Sequence, residues 1–337
     1  MKTILSYGMG VESSALILKW VERESLRDFD LTADLIVITA QVGDEYPDQK
    51  MLVKRHILPR MRAHHIRYVQ VARAGHLEAD GIIVLDDTRE PRNVYLDGSY
   101  KLSQELRAAG TVPQFAGEHR CSLKFKKFAI ETWIQQKMAG EDYRHALGYS
   151  ADEQKRVEKS ERAFAEREPI RVAFGFNADE GVRISRAERY DTPLRRGWYP
   201  LVEWGMGRED CLRYLKEVTG ETWLKSACIY CPFNALGEDG VTRMLKFPEQ
   251  VAEALRLFRG LLEAAEYALY RVRRIYKGPG HADRAVERLM IGSRAEMVAC
   301  FEQVASRLDV RIEHDISYGY VRQREPDHLL PLWMLHP

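Results

Sequence analysis

Apolar residues follow two patterns along this chain, short runs near the N-terminus and helical spacing towards the C-terminus. Residues 4–5 begin an apolar stretch that ends in a turn with two glycines, and the pattern of 15–20 then predicts a helix. The run 33–40 has the nearly continuous apolar character of a parallel strand buried on both faces. The start of the chain therefore predicts an α/β fold.

Helical spacing dominates the C-terminal part of the chain. Apolar side chains keep a helical period from Pro248 to Tyr276. The Lys-Gly-Pro-Gly sequence at 277–280 predicts the end of this helix, because glycine and proline interrupt the helical hydrogen-bond pattern. We therefore expect a mainly helical C-terminal region over 236–337.

The turn between the first strand and the first helix has the composition of a phosphate site. Gly8 and Gly10 let the backbone approach an anion closely, and the following helix directs its N-terminal N–H groups to the same spot. The hydroxyls of Ser6, Ser13 and Ser14 can add donors. Neither a P-loop lysine nor a G-x-G-x-x-G motif is present, so an ordinary strand-to-helix turn stays open as the alternative.

The segment 6–14 resembles the PP-loop of the ATP pyrophosphatase superfamily, which reads roughly Ser-Gly-Gly-x-Asp-Ser. More narrowly, it resembles the phosphoadenosine phosphosulfate reductase-like branch, where Ser-Phe-Gly-Gly-Gly-x-x-Ser-Thr variants occur. Met9 stands in place of a glycine of that pattern, and Glu12 stands where aspartate is common. The resemblance implies that this loop binds the phosphates of ATP.

A second segment resembles the same branch. After the run 33–40, Gly43, Glu45 and Pro47 match a turn of the form Thr-Gly-x-Glu-x-Pro-x-Thr. The resemblance implies a nucleotide contact at Gly43 and a Mg²⁺ ion that bridges the ATP phosphates with help from Asp44 or Glu45. With Glu12, these two carboxylates are the candidate catalytic residues.

The resemblance also implies a fold and a domain plan. The expected fold is α/β, with a doubly wound, mostly parallel sheet of the HUP or Rossmann-like type and a helical C-terminal extension. Matches to the branch run from residue 4 to about residue 233. We therefore expect a nucleotide-binding domain with a cysteine site over 1–235 and the helical region over 236–337.

A short internal repeat lies in the middle of the chain, where the sequence of 147–156 recurs in altered form at 174–183. In the resembled branch, a Gly-x-x-x-x-Glu-x-x-Arg element lies at the nucleotide site. Glu180 and Arg183 occupy the matching positions and are predicted to bind nucleotide. The alternative is that both copies are solvated Asp-Glu pairs at helix starts.

Five cysteines without an export signal favour thiols that bind a metal or fill the core over a disulfide framework. Cys228 and Cys231 form a C-x-x-C pair, which places two thiolates on one metal or cluster. Two incidental thiols in a turn are the alternative. Cys211 and Cys300 have apolar neighbours at helical spacing and are predicted to be mainly structural.

Cys121 supplies a third candidate ligand. Its segment 119–127 resembles the Arg-Cys-Cys-x-x-x-Lys sequence of sulfonucleotide reductases that bind a [4Fe–4S] cluster, with Ser122 in place of the second cysteine. The remaining set of Cys121, Cys228 and Cys231 resembles that of tRNA thiolation enzymes, in which three cysteines hold the cluster and one iron stays open. Zinc is the competing metal, with His119, Cys211 or Cys300 as a fourth ligand.

The combined motifs predict an ATP-dependent adenylating enzyme. A carbonyl-type oxygen of the substrate would attack the α-phosphorus and release pyrophosphate. A sulfur or nitrogen nucleophile would then displace AMP, and the expected acceptor is a nucleobase in tRNA or DNA. One alternative is a sulfonucleotide reductase, which the tail 329–337 disfavours because it has no catalytic cysteine. Another is a non-catalytic nucleotide-binding protein of a phage-defence or DNA-modification system.

Charge is balanced, with 51 basic and 50 acidic residues, so any contact with nucleic acid must use a local patch. No apolar run reaches membrane length and no secretory signal is evident, so we expect a cytoplasmic protein without a membrane partner. The candidate basic patch consists of Lys124, Lys126, Lys127, Arg195, Arg196, Arg256, Arg259, Arg271, Arg273 and Arg274.

Overall fold

The computed structural model describes residues 2–113, 120–138, 170–174, 195–275 and 291–308. The chain forms two compact units. The first contains residues 1–101 and 121–226, and the second contains residues 102–120 and 227–337. Cys121 therefore belongs to the first unit, whereas the C-x-x-C pair belongs to the second.

The first unit is built on one six-stranded sheet. Its strands are β1 (Thr3–Ser6), β2 (Leu35–Gln41), β3 (Arg67–Arg73), β4 (Ile82–Thr88), β5 (Ile170–Phe174) and β6 (Arg195–Trp198). Their order is β4-β3-β2-β1-β5-β6, and every pair is parallel except β3 and β4. The predicted α/β fold with a mostly parallel sheet is confirmed, and it is compatible with a Rossmann-like fold.

The parallel strands in the described part of the chain follow a known order. The chain runs from β1 outward to β2 and β3, and then returns to place β5 and β6 on the other side of β1. Counted along the chain, the five parallel strands have the order 3-2-1-4-5 of doubly wound folds that bind nucleotides. The carboxyl end of β1 is therefore the point at which the winding reverses.

The described residues of both units also form helices. They are α1 (Val11–Glu22), α2 (Pro47–Leu52), α3 (Leu58–Ala63), α4 (Leu102–Ala108), α5 (Arg120–Ser122), α6 (Phe128–Met138), α7 (Pro200–Glu203), α8 (Arg208–Thr219), α9 (Glu238–Lys246), α10 (Pro248–Ile275) and α11 (Ser293–Ala305). A π-helical turn, Val53–Ile57, lies between α2 and α3, and another, Leu123–Lys127, lies between α5 and α6. None of the described helices combines the length and apolar character needed to cross a membrane.

Alternating side chains of the strands form a core on each face of the sheet. On one face, Leu5 and Val37 belong to a cluster with Leu16 of α1 and Leu215 of α8. On the other face, residues such as Ile38 belong to a cluster with α6. Neighbouring strand residues point to opposite faces, so a strand buried on both sides must be apolar throughout. This explains the nearly unbroken apolar sequence of β2.

The second unit confirms the helix predicted from the spacing of apolar residues after Pro248. Helix α10 (Pro248–Ile275) packs against α11, where the rings of Phe258 and Phe301 meet edge to face with centroids 5.1 Å apart. Tyr230 adds a second ring contact to Phe258 at 6.0 Å. The predicted end of the helix at 277–280 lies outside the described residues, as do the rest of 276–290 and the segment 309–337.

Candidate nucleotide-binding site

The loop of residues 7–10 joins β1 to α1 at the reversal point of the sheet. Its first residue is anchored, because the Tyr7 N–H donates a hydrogen bond to the Ile38 carbonyl oxygen at 2.8 Å. In open α/β sheets, ligands bind in the crevice outside the carboxyl ends of the strands, where the strand order reverses. The predicted phosphate loop therefore lies where the topology places a ligand.

Met9 gives this loop an unusual backbone. It has a φ of +55°, and within the described residues only His65 shares a positive φ among non-glycine residues. A left-handed conformation of this kind costs a non-glycine residue about 1 kcal/mol. Met9 is also buried in the core cluster with Leu5 and Val11, which offsets that cost. The loop therefore keeps the backbone shape of a glycine where the resembled family has one.

Gly8 and Gly10 serve the loop in different ways. A Cβ on Gly10 would lie 2.9 Å from Ser226 Oγ, so a larger residue here would force the Ser226 side chain to move. A Cβ on Gly8 would meet no atom of the described residues within 4 Å, and Gly8 is exposed. The Gly8 side of the loop therefore faces open space.

The N-terminus of α1 provides the donors of the candidate site. Gly10 caps the helix in an extended conformation, and its carbonyl oxygen accepts the Ser14 N–H at 3.1 Å. The N–H groups of the first helical turn have no acceptor within the helix, and the helix dipole gives them a partial positive charge. Backbone donors next to an open glycine are suited to bind a phosphate.

Two of the three serines predicted as extra donors, Ser13 and Ser14, face the protein interior. Ser14 is fully buried, and its Oγ lies 3.1 Å from the Tyr7 hydroxyl. Burial raises the pKa of Tyr7, so this hydroxyl stays protonated. The Ser13 hydroxyl donates to the Gly10 carbonyl oxygen at 3.5 Å, and Ser6 is half-buried. The hydroxyls of Ser13 and Ser14 thus bond the loop and helix that carry them.

Glu12 is paired with an arginine that the sequence motifs did not single out. Arg208 Nη1 donates to Glu12 Oε1 at 2.6 Å, and their side chains are 27% and 18% exposed. A lone carboxylate in the first turn of α1 would repel a phosphate, whereas a guanidinium beside it restores a favourable field. The pKa of the Cys211 thiol is raised to about 12, mainly by burial and secondly by the negative charge of Glu12.

The turn after β2 holds the other two candidate carboxylates. Gly43 has a φ of +87°, and a Cβ there would lie 2.6 Å from Lys101 Cγ. Asp44 and Glu45 are 8% and 9% exposed. Glu45 Oε1 forms an ion pair with Lys126 Nζ at 3.2 Å, which fixes the turn to the helical segment that follows Cys121.

The helical segment around Cys121 contains a π-helical turn, a feature frequent at functional sites. Phe125 in this turn is fully buried and stacks on Tyr100, with centroids 6.0 Å apart. The Arg73 guanidinium lies 5.5 Å from the Phe125 ring centroid. Burial raises the pKa of the Cys121 thiol, and the nearby Lys126 charge partly offsets that effect.

The C-x-x-C segment in the second unit forms a hydrogen-bonded turn. The Cys231 N–H donates to the Cys228 carbonyl oxygen at 3.1 Å. Asn234 reinforces the turn, since its Nδ2 donates to the same carbonyl oxygen at 2.8 Å. Both cysteines are half-buried. Among the described residues, no group of three or more His, Cys, Asp or Glu side chains has a geometry that could hold a metal ion.

The two cysteines that were predicted to be mainly structural differ in their burial. Cys211 is fully buried in the core of the first unit, which confirms the prediction. Cys300 is only half-buried on α11, so its expected place on the core face was wrong. The adjacent residue Phe301 fills the core instead, because helix geometry turns neighbouring positions in different directions.

Several predicted residues lie outside the described part of the chain. They are His119, Glu180 and Arg183, together with the first copy of the internal repeat at 147–156 and the tail 329–337. In the candidate basic patch, Arg259 Nη2 pairs with Glu302 Oε1 at 2.7 Å, and Lys126 pairs with Glu45. These two cations are thus engaged by carboxylates of their own units.

Sequence reasoning missed two residues at this edge of the sheet. Gln41 ends β2 as a fully buried amide, and its signal was a polar residue closing an apolar strand. Arg208 carried no signal, because its partner Glu12 is 196 residues away in sequence. Comparisons of the chain with protein-family models, with curated proteins and with solved structures found no match.

Proposed function

We propose that this chain binds ATP with its phosphates over the loop of residues 7–10 and uses it to adenylate a substrate. The observation that carries the proposal is the position of this loop. It joins the central strand to a helix N-terminus at the reversal point of a doubly wound strand order. The left-handed Met9 and the open Gly8 support a loop shaped around an anion.

The residues around the loop have separable roles in this proposal. Backbone N–H groups of α1 bind the phosphates, and Arg208 balances the Glu12 carboxylate beside them. Asp44 and Glu45 would help to hold a Mg²⁺ ion, because carboxylate oxygens are ligands that suit Mg²⁺, and Glu45 would then share its charge with Lys126. When bound, Mg²⁺ would supply positive charge against the phosphate oxygens.

The proposed reaction proceeds in two displacements. A carbonyl-type oxygen of the substrate attacks the α-phosphorus of ATP, the bond to the β-phosphate oxygen breaks, and pyrophosphate leaves. A sulfur nucleophile then attacks the activated carbon, and the carbon–oxygen bond to AMP breaks. The chain's own contribution is to hold the triphosphate in line and to stabilise its charge. Glu12, Asp44 and Glu45 remain the candidate catalytic residues.

The cysteines suggest the source of the sulfur. Cys228 and Cys231 on one tight turn fit two ligands of an iron–sulfur cluster or of zinc, and we propose Cys121 as the third. A [4Fe–4S] cluster held by three cysteines would leave one iron for the sulfur donor. We propose a nucleobase in tRNA or DNA as the acceptor, which rests on the three-cysteine pattern and the basic segments of the sequence.

A second candidate is a protein that binds nucleotide without turnover. It is favoured by the burial of Ser13 and Ser14, which leaves backbone groups as the main donors of the loop. Measurement of ATP–pyrophosphate exchange separates the two candidates. We expect exchange of labelled pyrophosphate into ATP when tRNA or DNA is present. Tight ATP binding without exchange for any nucleic acid acceptor would favour the non-catalytic candidate.

A further inference from the structure

Gln41 is a fully buried amide. Its side chain has no solvent exposure, and within the described part of the chain neither its Nε2 nor its Oε1 has a hydrogen-bond partner. A glutamine amide presents two donor hydrogens and a carbonyl acceptor. Buried polar groups are nearly always bonded, so an amide with both ends unmatched needs an explanation.

Gln70 on the neighbouring strand shows what the fold normally does with such a side chain. It is also fully buried, yet its Nε2 donates to the Asn93 carbonyl oxygen at 2.9 Å. Its Oε1 accepts the Tyr95 N–H at 2.9 Å. The two glutamines share residue type, burial and sheet, and only Gln41 is left without partners.

The position of Gln41 places this amide at the candidate nucleotide site. It is the last residue of β2, whereas the pairing of β1 with β2 already ends at Ser6 and Ile38. Over its final three residues, β2 therefore runs past the end of β1 and alongside the start of the 7–10 loop. Neighbouring strands lie about 4.8 Å apart. Gln41 is therefore close enough to that loop for a single nucleotide to contact both.

The pleat of β2 also fixes which face of the sheet Gln41 occupies. Side chains two residues apart share a face, so Gln41 shares one with Thr39 and Val37. Val37 belongs to the core cluster that contains α1, and Thr39 Oγ1 accepts the hydroxyl of Tyr68 from the same cluster. Gln41 and the N-terminus of α1 therefore lie on one face, at the carboxyl edge of adjacent strands.

We propose that Gln41 binds the base of the nucleotide and selects adenine over guanine. This inference rests on the proposed nucleotide function of the same site. A side-chain amide pairs its donor and acceptor with N7 and the N6 amino group of adenine, whereas guanine offers two acceptors, N7 and O6, on the same edge. Because the amide is closed off from solvent, the base must displace the groups that cover it.

Isosteric variants and three ligands test the proposal. In Gln41→Met the side chain keeps its length and loses both polar groups. We expect the ratio of ATP to GTP affinity, measured by calorimetry, to fall about tenfold or more. Affinity for tripolyphosphate, which has no base, should be unchanged. The melting temperature should be equal or higher, since no protein hydrogen bond is lost.

Gln70→Met is the matched control. It should lower the melting temperature, because the Asn93 carbonyl and the Tyr95 N–H lose their partner, and it should leave the ATP to GTP ratio unchanged. Gln41→Glu provides a second variant with the same shape but an acceptor in place of the donor. It should also lose the preference for ATP, so the proposal can be tested even if Gln41→Met misfolds.

The outcomes separate this inference from the function on which it rests. If the unmodified chain binds ATP and tripolyphosphate but Gln41→Met and Gln41→Glu keep its ATP to GTP ratio, the inference alone is overturned. A melting temperature that drops in Gln41→Met as in Gln70→Met would show that the protein itself satisfies the amide, with the same consequence. If the unmodified chain binds neither ATP nor tripolyphosphate, the nucleotide function fails as well.

Discussion

At the scale of single residues, Met9 combines a buried side chain with a left-handed backbone. Both Met9→Gly and Met9→Ala remove the buried side chain, which costs about 2–5 kcal/mol of stability. Only glycine also relieves the positive φ of this position, so Met9→Gly should be more stable than Met9→Ala by about 1 kcal/mol. Urea denaturation measures the difference. Equal stability, or a more stable alanine variant, would contradict the left-handed assignment.

Arg208 and Glu12 form a charge pair at the first turn of α1, beside the proposed phosphate site. Arg208→Ala leaves the Glu12 carboxylate without this guanidinium at the N-terminus of α1, so ATP affinity should fall about tenfold or more. Glu12→Gln in the same chain removes the repulsion and should restore part of the affinity. Calorimetric titration of the four combinations gives the coupling energy. Additive effects of the two substitutions would show that the pair does not act on the nucleotide as a unit.

At the scale of elements, one ion pair links the turn after β2 to the helical segment after Cys121. The Glu45 side chain is 3% exposed and that of Lys126 is 35% exposed, so solvent screens this pair only in part. Lys126→Met strips a buried carboxylate of a cation and should lower the free energy of unfolding by on the order of 1–2 kcal/mol. In the double variant with Glu45→Gln, most of that loss should disappear. A double variant as unstable as Lys126→Met would rule out the charge as the cause.

Elements with a clear period were the ones that the sequence could predict. Strand β2 is buried on both faces and therefore has a continuous apolar run. Helix α10 is buried on one face and therefore has apolar residues at helical spacing. Both elements were found close to the expected bounds. The strand order depends on pairs far apart in sequence, such as Thr3 with Arg171, and was not predicted. The family resemblance implied only a doubly wound, mostly parallel sheet. The Arg208 contact was beyond prediction for the same reason.

At the scale of the whole molecule, the three candidate cysteine ligands are divided between the two compact units. If they hold one cluster, protein purified without oxygen should contain about four irons per chain and show a broad absorption band near 400 nm of the kind that such clusters give. Cys121→Ala and Cys228→Ala should each lose the iron and the colour, while Cys300→Ala should keep both. One zinc per chain without colour would indicate a structural metal in place of a cluster. A chain free of iron and zinc would refute the metal site.

The measurement that most directly tests the account is ATP binding by Gly8→Val, with Gly237→Val as the control. In the regions that the structure describes, a Cβ at either glycine would meet no atom within 4 Å, and neither glycine has a positive φ, so both variants should fold. Only Gly8 lies in the loop of residues 7–10, where a bulky side chain would obstruct a bound phosphate. We expect Gly8→Val to weaken ATP binding at least about tenfold and Gly237→Val to bind ATP like the unmodified chain. Unchanged ATP affinity in a folded Gly8→Val protein would contradict a nucleotide site at this loop.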